Sequence, residues 1–205
     1  MDSVGAIILA AGGSSRFGQP KQLLVFEGES LVQRVVRSAT EAGSDPVVVV
    51  VGDNRGQIET ELRGTVAVVV QNRQWRQGLG TSIRSGLGHL LRLKPEVEAV
   101  VLLACDQPFV DKGFINSLIL QRANSGKSIV ASSYANTLGV PVLFERIWFD
   151  SLSSLPDDSG AKALIESGSM DVAQIQFPKG VIDIDTPSDF ERLTRVRRTG
   201  AAPTE

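Results

Sequence analysis

Residues 6–24, AIILAAGGSSRFGQPKQLL, set two glycines and two serines directly behind an unbroken apolar run, with Arg16 and Lys21 close after them. Gly12 and Gly13 free the backbone to turn N–H groups toward an anion at short range, and the hydroxyls of Ser14 and Ser15 add donors. Arg16 can grip phosphate oxygens with two parallel hydrogen bonds, and Lys21 can meet them as a point charge. A Gly/Ser surface turn with solvated charges is the plain alternative. Position after the first apolar run, with both cations together, favours phosphate. The spacing is neither G-x-G-x-x-G nor G-x-x-x-x-G-K-[ST], which argues against a dinucleotide dehydrogenase and a P-loop NTPase.

Carboxylates form the second chemical group. Asp106 follows the apolar run of LLACDQPFV, and Asp183 and Asp185 lie in VIDIDTPSDF, ahead of the last helical stretch. A lone Asp behind a strand often caps a helix, and Asp183 and Asp189 are read that way. Two segments offering carboxylates to one phosphate site suit Mg²⁺, which takes one or two carboxylates plus substrate phosphates. The remaining reactive types have plainer readings. His89 is the only histidine, so zinc hydrolase chemistry has no ligand set. Cys105, the only cysteine, reads as a small buried residue. Trp75 and Trp148 read as packing anchors.

The elements that must position these groups follow from hydrophobic patterning. VGAIILA (4–10), PVVVVVG (46–52), VAVVV (66–70) and EAVVLLA (98–104) are continuous apolar runs rather than alternating ones, the mark of strands covered on both faces. Stretches with helical spacing separate them: SLVQRVVRSATEAG with Gly43 as C-cap, DNRGQIETEL, TSIRSGLGHLLRL capped by Thr81 or Ser82, and VDKGFINSLILQRA. This alternation predicts an α/β, doubly wound, mostly parallel sheet, whose ligands bind beyond the carboxyl ends of the strands. After Ser128 the rhythm changes to two strands turning through Asn136 and Thr137, a short helix in SGAKALIESG, a strand in VAQIQF and a final helix with Pro187 in its first turn. A single domain over residues 1–195 is expected, with 196–205 as a disordered tail.

Composition sets outer bounds. The chain has 205 residues, 42% hydrophobic and 21% charged, with a formal net charge of −2. That balance argues against a nucleic-acid surface. No apolar run is long enough to span a membrane. A single cysteine and a start without a basic, signal-like segment fit the cytoplasm.

LAAGGSSRFGQPK resembles the L-A-[AG]-G-x-S-x-R-[MF]-G-x-x-K signature of the molybdopterin nucleotidyltransferases. Ala11 in particular resembles the cytidylyltransferase branch. The resemblance implies a Rossmann-like nucleotidyltransferase fold, and a nucleotide held by Leu9, Ala10, Ala11, Gly12, Gly13 and Ser14, with Arg16 and Lys21 as catalytic residues. CDQP and DIDTPSD are similar to the family's two metal-binding segments, which implies Mg²⁺ on Asp106 and Asp185, with Asp106 also at the nucleotide. QGLGTSI resembles the family's G-[LM]-x-x-S-[IL] core; Gly78 would lie against the base and Ser82 near the nucleotide. LGVPVLF and DDSGAKALI resemble acceptor-side segments, implying roles for Gly139, Pro141 and Lys162. Lys162 replaces the family's Arg, and Lys is no equivalent in a two-pronged phosphate contact.

The implied reaction moves CMP from CTP to the terminal phosphate of molybdopterin or its metal-loaded form, releasing pyrophosphate. A downstream molybdoenzyme or its chaperone would take the product. GTP or another phosphorylated acceptor is the nearest alternative; a cofactor carrier without nucleotidyl transfer and a related oxidoreductase are the others.

Overall fold

The computed structural model describes residues 3–13 and 17–199, so the expectations for Ser14, Arg16 and residues 200–205 lie outside the described residues. Strand β1 (Val4–Ala10) is followed by the small antiparallel pair β2 (Val25–Phe26) and β3 (Glu29–Ser30), then α1 (Leu31–Glu41). Ser30 and Gln33 form a reciprocal capping box at the start of α1. Next come β4 (Val47–Val51), α2 (Arg55–Glu61), β5 (Val68–Gln71), α3 (Leu79–Leu93), β6 (Ala99–Ala104) and α4 (Lys112–Ser125). The later part holds β7 (Ile129–Tyr134), β8 (Thr137–Glu145), α5 (Phe149–Ser153), α6 (Ala161–Ser167), β9 (Val172–Gln176) and α7 (Pro187–Thr199).

Among the described residues seven strands form one sheet in the order β5-β4-β1-β6-β8-β7-β9. Pairings β4/β5, β1/β4, β1/β6 and β7/β9 are parallel; β8 runs antiparallel to both β6 and β7. The expected doubly wound, mostly parallel sheet is present. Its central strands are buried on both faces because alternate side chains feed two cores. Ile8, Val49, Val101 and Leu103 pack in one core with residues of α1 and α4. Ile7, Val48, Val50, Val100 and Leu102 pack in the other with residues of α3, α5 and α6. Continuous Val/Ile runs are thus a requirement of two-sided burial.

Chain order reverses between β1 and β6, which lie side by side with Leu9 opposite Ala104. That reversal opens a crevice beyond their carboxyl ends, where α/β sheets bind ligands. The loops leaving Ala10 and Ala104 meet there.

Several boundaries differ from expectation. α3 begins at Leu79 with Gly78 as its N-cap residue, so neither Thr81 nor Ser82 caps it. Their hydroxyls instead accept hydrogen bonds from buried Asn72. The β7–β8 turn runs through Ala135 and Asn136, both at positive φ, one residue earlier than expected. α7 continues to Thr199, so residues 196–199 extend a helix into the expected tail.

Candidate active site

The glycine loop at the end of β1 is held from below. Gln22, 2% exposed, donates through Nε2 to the Ala10 carbonyl at 2.7 Å and to the Gly12 carbonyl at 3.2 Å. Gly12 and Gly13 remain exposed at the surface while Ala10 and Ala11 are buried. Trp75 forms one wall: a Cβ on Gly13 would lie 3.0 Å from its ring, and one on Gly52 would lie 2.9 Å from Nε1. The indole N–H donates to Asp53, and the Arg76 guanidinium stacks over the ring at 4.4 Å. Trp75 is therefore a support of the loop as well as a packing residue.

Lys21 opens a short turn just after the loop and reaches across the crevice. Its Nζ donates to Asp106 Oδ2 at 2.6 Å and to Asp185 Oδ1 at 3.0 Å. These three residues come from β1's following loop, the end of β6 and the segment before α7, and only the fold unites them. The Ile184 N–H donates to the Asp106 carbonyl, which clips the Asp185 segment to the end of β6. Burial works to discharge Lys21, but the Asp106 and Asp185 carboxylates outweigh it and hold the ammonium above its ordinary range.

Asp183 departs from its expected role. Partial desolvation, followed by the charges of Asp106 and Asp185, pushes its carboxyl up to about 6. It belongs to the acidic edge of the crevice. Asp189 does cap α7, accepting from the Thr186 N–H at 2.8 Å and the Thr186 hydroxyl at 2.8 Å.

Gln22 and Gln107 are functional neighbours that sequence reasoning missed. Gln107 is buried and donates to the carbonyls of Val140 and Gly180, both at 3.3 Å. It thereby ties β8 to the turn preceding Asp183. Each Gln sits beside a residue already singled out, yet nothing in its local pattern signals burial.

At Gly78 a Cβ would fall 2.2 Å from the Asp157 carbonyl oxygen, and its φ is +139°. The segment 157–158 occupies the space beside it, so close backbone packing alone already requires a glycine here. Ser82 is buried, with its hydroxyl engaged by Asn72 at 3.0 Å.

The acceptor-side residues divide. Pro141 is buried within β8 and shapes the strand without lining its surface. Gly139 packs against the Tyr134 hydroxyl, 2.6 Å from where a Cβ would stand. Lys162 lines a cleft of about 680 Å³ with Ser133, Thr137 and Gln174, its side chain 64% exposed and paired loosely with Glu166 at 3.9 Å. The bland readings hold for three residues. His89 bonds within α3 to the Ser85 carbonyl, Trp148 packs on Gly168 and donates to Ser128, and Cys105 is buried.

Residues 6–173 match the model of the MobA-like NTP transferase domain. The chain belongs to the MobA-like NTP transferase family. Its membership makes it a nucleotidyltransferase, and the crevice between β1 and β6 is the strand-order switch point where open α/β sheets bind ligands. Among curated proteins, the purine catabolism protein PucB of Bacillus subtilis is 28% identical over 92% of this chain and 95% of its own. The molybdenum cofactor cytidylyltransferase of Escherichia coli is 24% identical over 96% of this chain and 100% of its own. A mycobacterial homologue of Rv0371c from strain JC1 superposes with a TM-score of 0.77 at 34% identity, covering 96% of this chain and 98% of that one. Rv0371c of Mycobacterium tuberculosis, solved in complex with manganese, gives 0.74 at 28% identity over 94% and 98%. No helix among the described residues of this MobA-like chain is long and apolar enough to cross a membrane.

Proposed function

We propose that this protein transfers a cytidylyl group from CTP to the terminal phosphate of molybdopterin or its metal-loaded form, releasing pyrophosphate. The observation that carries the reading is the convergence of Lys21, Asp106 and Asp185 beside the glycine loop. The choice of acceptor and base is supported by the likeness to the molybdenum cofactor cytidylyltransferase of Escherichia coli and by Ala11 in the loop.

The donor set fits a hard divalent cation. Asp106 and Asp185 both reach a single cationic centre, the Lys21 ammonium, and hard cations of this kind take one or two carboxylates plus phosphate oxygens. Mg²⁺ is the ion proposed, held by those two carboxylates; when bound it would neutralise charge on the phosphates.

The acceptor phosphate is already an anion, so no strong base is needed for attack on the α-phosphorus. The acceptor oxygen forms a bond to that phosphorus while the bond to the β-phosphate oxygen breaks, and the electron pair leaves with pyrophosphate. Positioning and electrostatics carry such a reaction. Gly12 and Gly13 would present backbone donors to the phosphates, with Ser14 and Arg16 completing that cradle. Lys21 would stabilise charge on the transferring group and the leaving pyrophosphate. Leu9, Ala10 and Ala11 would border the nucleotide; the cleft beside Lys162 and Gly139 would receive the acceptor. The product is proposed to pass to a molybdoenzyme or its chaperone in the cytoplasm.

Pyrophosphate release from the purified protein with Mg²⁺ and molybdopterin, compared across CTP, GTP, ATP and UTP, tests the proposal. Release with CTP is expected. Release with GTP alone would retain the chemistry and change the base, and no release with any of the four would overturn the reading.

A further inference from the structure

The Lys21 ammonium lies 2.6 Å from Asp106 and 3.0 Å from Asp185, between the two carboxylates assigned above to the divalent ion. Two carboxylates within 3.0 Å of one point can be bridged by one cation at a time there. A lysine and a hard divalent ion at that place are competitors. The protein's own ligand set for a metal is also short: among the described residues no group of three or more His, Cys, Asp or Glu side chains is arranged to hold an ion.

We propose that Lys21 competes with the divalent ion for the position between Asp106 and Asp185, so that metal binds tightly only once nucleotide phosphates give Lys21 another partner. This inference rests on the metal assignment made under the proposed function. It goes beyond it by naming an internal competitor and a binding order.

The surroundings of Lys21 suit such an exchange. Its neighbour Gln22 pins the backbone to the carbonyls of Ala10 and Gly12, so the stem of Lys21 starts at the base of the glycine loop. The side chain has four rotatable carbons and a compact charge, so the ammonium can change partners while the backbone stays fixed. The lysine side chain is only 14% exposed, whereas Asp185 is 61% exposed. An entering ion meets the Asp185 side of the pair from solvent and must turn out a largely enclosed ammonium. Coupling between two ligands through a shared group is reciprocal and typically amounts to about 5–150-fold in affinity.

The test measures Mn²⁺ binding by the paramagnetic resonance signal of the free ion, without nucleotide, in the wild-type protein and in Lys21→Met, Lys21→Arg and an Asp106→Asn/Asp185→Asn double variant. Circular dichroism and thermal melting establish that each is folded. Lys21→Met is expected to bind Mn²⁺ about tenfold tighter or more, and Lys21→Arg, which keeps the charge, to stay near wild type. Equal or weaker binding by a folded Lys21→Met overturns the competition. If the double variant binds Mn²⁺ as well as wild type, the metal assignment itself fails; if it loses the ion while Lys21→Met gains nothing, only the competition fails. A measurement on the wild-type chain guards against a variant that does not fold. Amine acylation of Lys21, read by mass spectrometry, should rise when Mn²⁺ alone is added at saturating concentration, and an unchanged rate would overturn the exchange.

Discussion

The crevice beyond β1 and β6 and the cleft beside Lys162 are built on different principles. In the crevice, charges from three separate segments meet within 3.0 Å, and a buried glutamine anchors the loop beside them. The cleft, of about 680 Å³, mixes polar Ser133, Thr137 and Gln174 with apolar Leu138, Ile165 and Val172, and its Lys162 is exposed and loosely paired. Charge held in a part-buried, hydrogen-bonded frame acts strongly on a phosphoryl group, whereas an exposed lysine is screened by water. Under the proposed function, chemistry belongs to the first region and recognition of the acceptor to the second.

The sharpest way to break that contrast is to remove charge in the crevice. Lys21→Ala should lower turnover by on the order of 10²–10³ with the fold intact, by analogy with loss of a preorganised transition-state donor. Unchanged turnover in steady-state assays would remove Lys21 from the chemistry. Asp106→Asn should abolish the dependence of rate on Mg²⁺ concentration, and a titration with the wild-type profile would contradict the assignment.

A third prediction concerns the start of α3, where Gly78 meets residues 157–158. Gly78→Ala sets a Cβ against the Asp157 carbonyl at a positive φ and should cost about 2–3 kcal/mol of stability, seen as a lower denaturant midpoint. A smaller effect is expected from Gln22→Leu. It leaves the Ala10 and Gly12 carbonyls short of a partner, at about 1–3 kcal/mol, and should raise KM for the nucleotide more than KM for the acceptor. Equal rises in both constants would mean that the loop anchor serves the whole crevice. The smallest effect belongs to Lys162→Ala. It should change acceptor KM by less than about threefold and leave nucleotide KM alone, consistent with an exposed and screened charge. A tenfold loss would move Lys162 into the phosphate-binding set and erase the contrast.

Legibility in the sequence followed the same division. β1 and the doubly wound class were readable because two-sided burial demands continuous apolar runs, and VGAIILA and PVVVVVG have them. The glycine loop and Asp106 were readable because each is a distinctive type at the end of such a run, and Lys21 and Asp185 because their segments resemble the family's motifs. Asp183 was misread as a cap, since its position before α7 is equally good for capping. Its place beside Asp106 and Asp185 depends on the Ile184–Asp106 clip, a contact 78 residues apart in sequence. The packing reason for Gly78 was not readable because the segment that fills its space, 157–158, is far along the chain.

Local patterning, then, determined which segments are strands, where the turns free the backbone and which charged residues stand at strand ends, because burial period and turn chemistry are properties of short stretches. Tertiary structure alone decided that Lys21 meets Asp106 and Asp185, that Gln22 and Gln107 are buried, and that Trp75 supports the glycine loop. Electrostatic coupling depends on distance in space, and the reversal of strand order between β1 and β6 sets those distances.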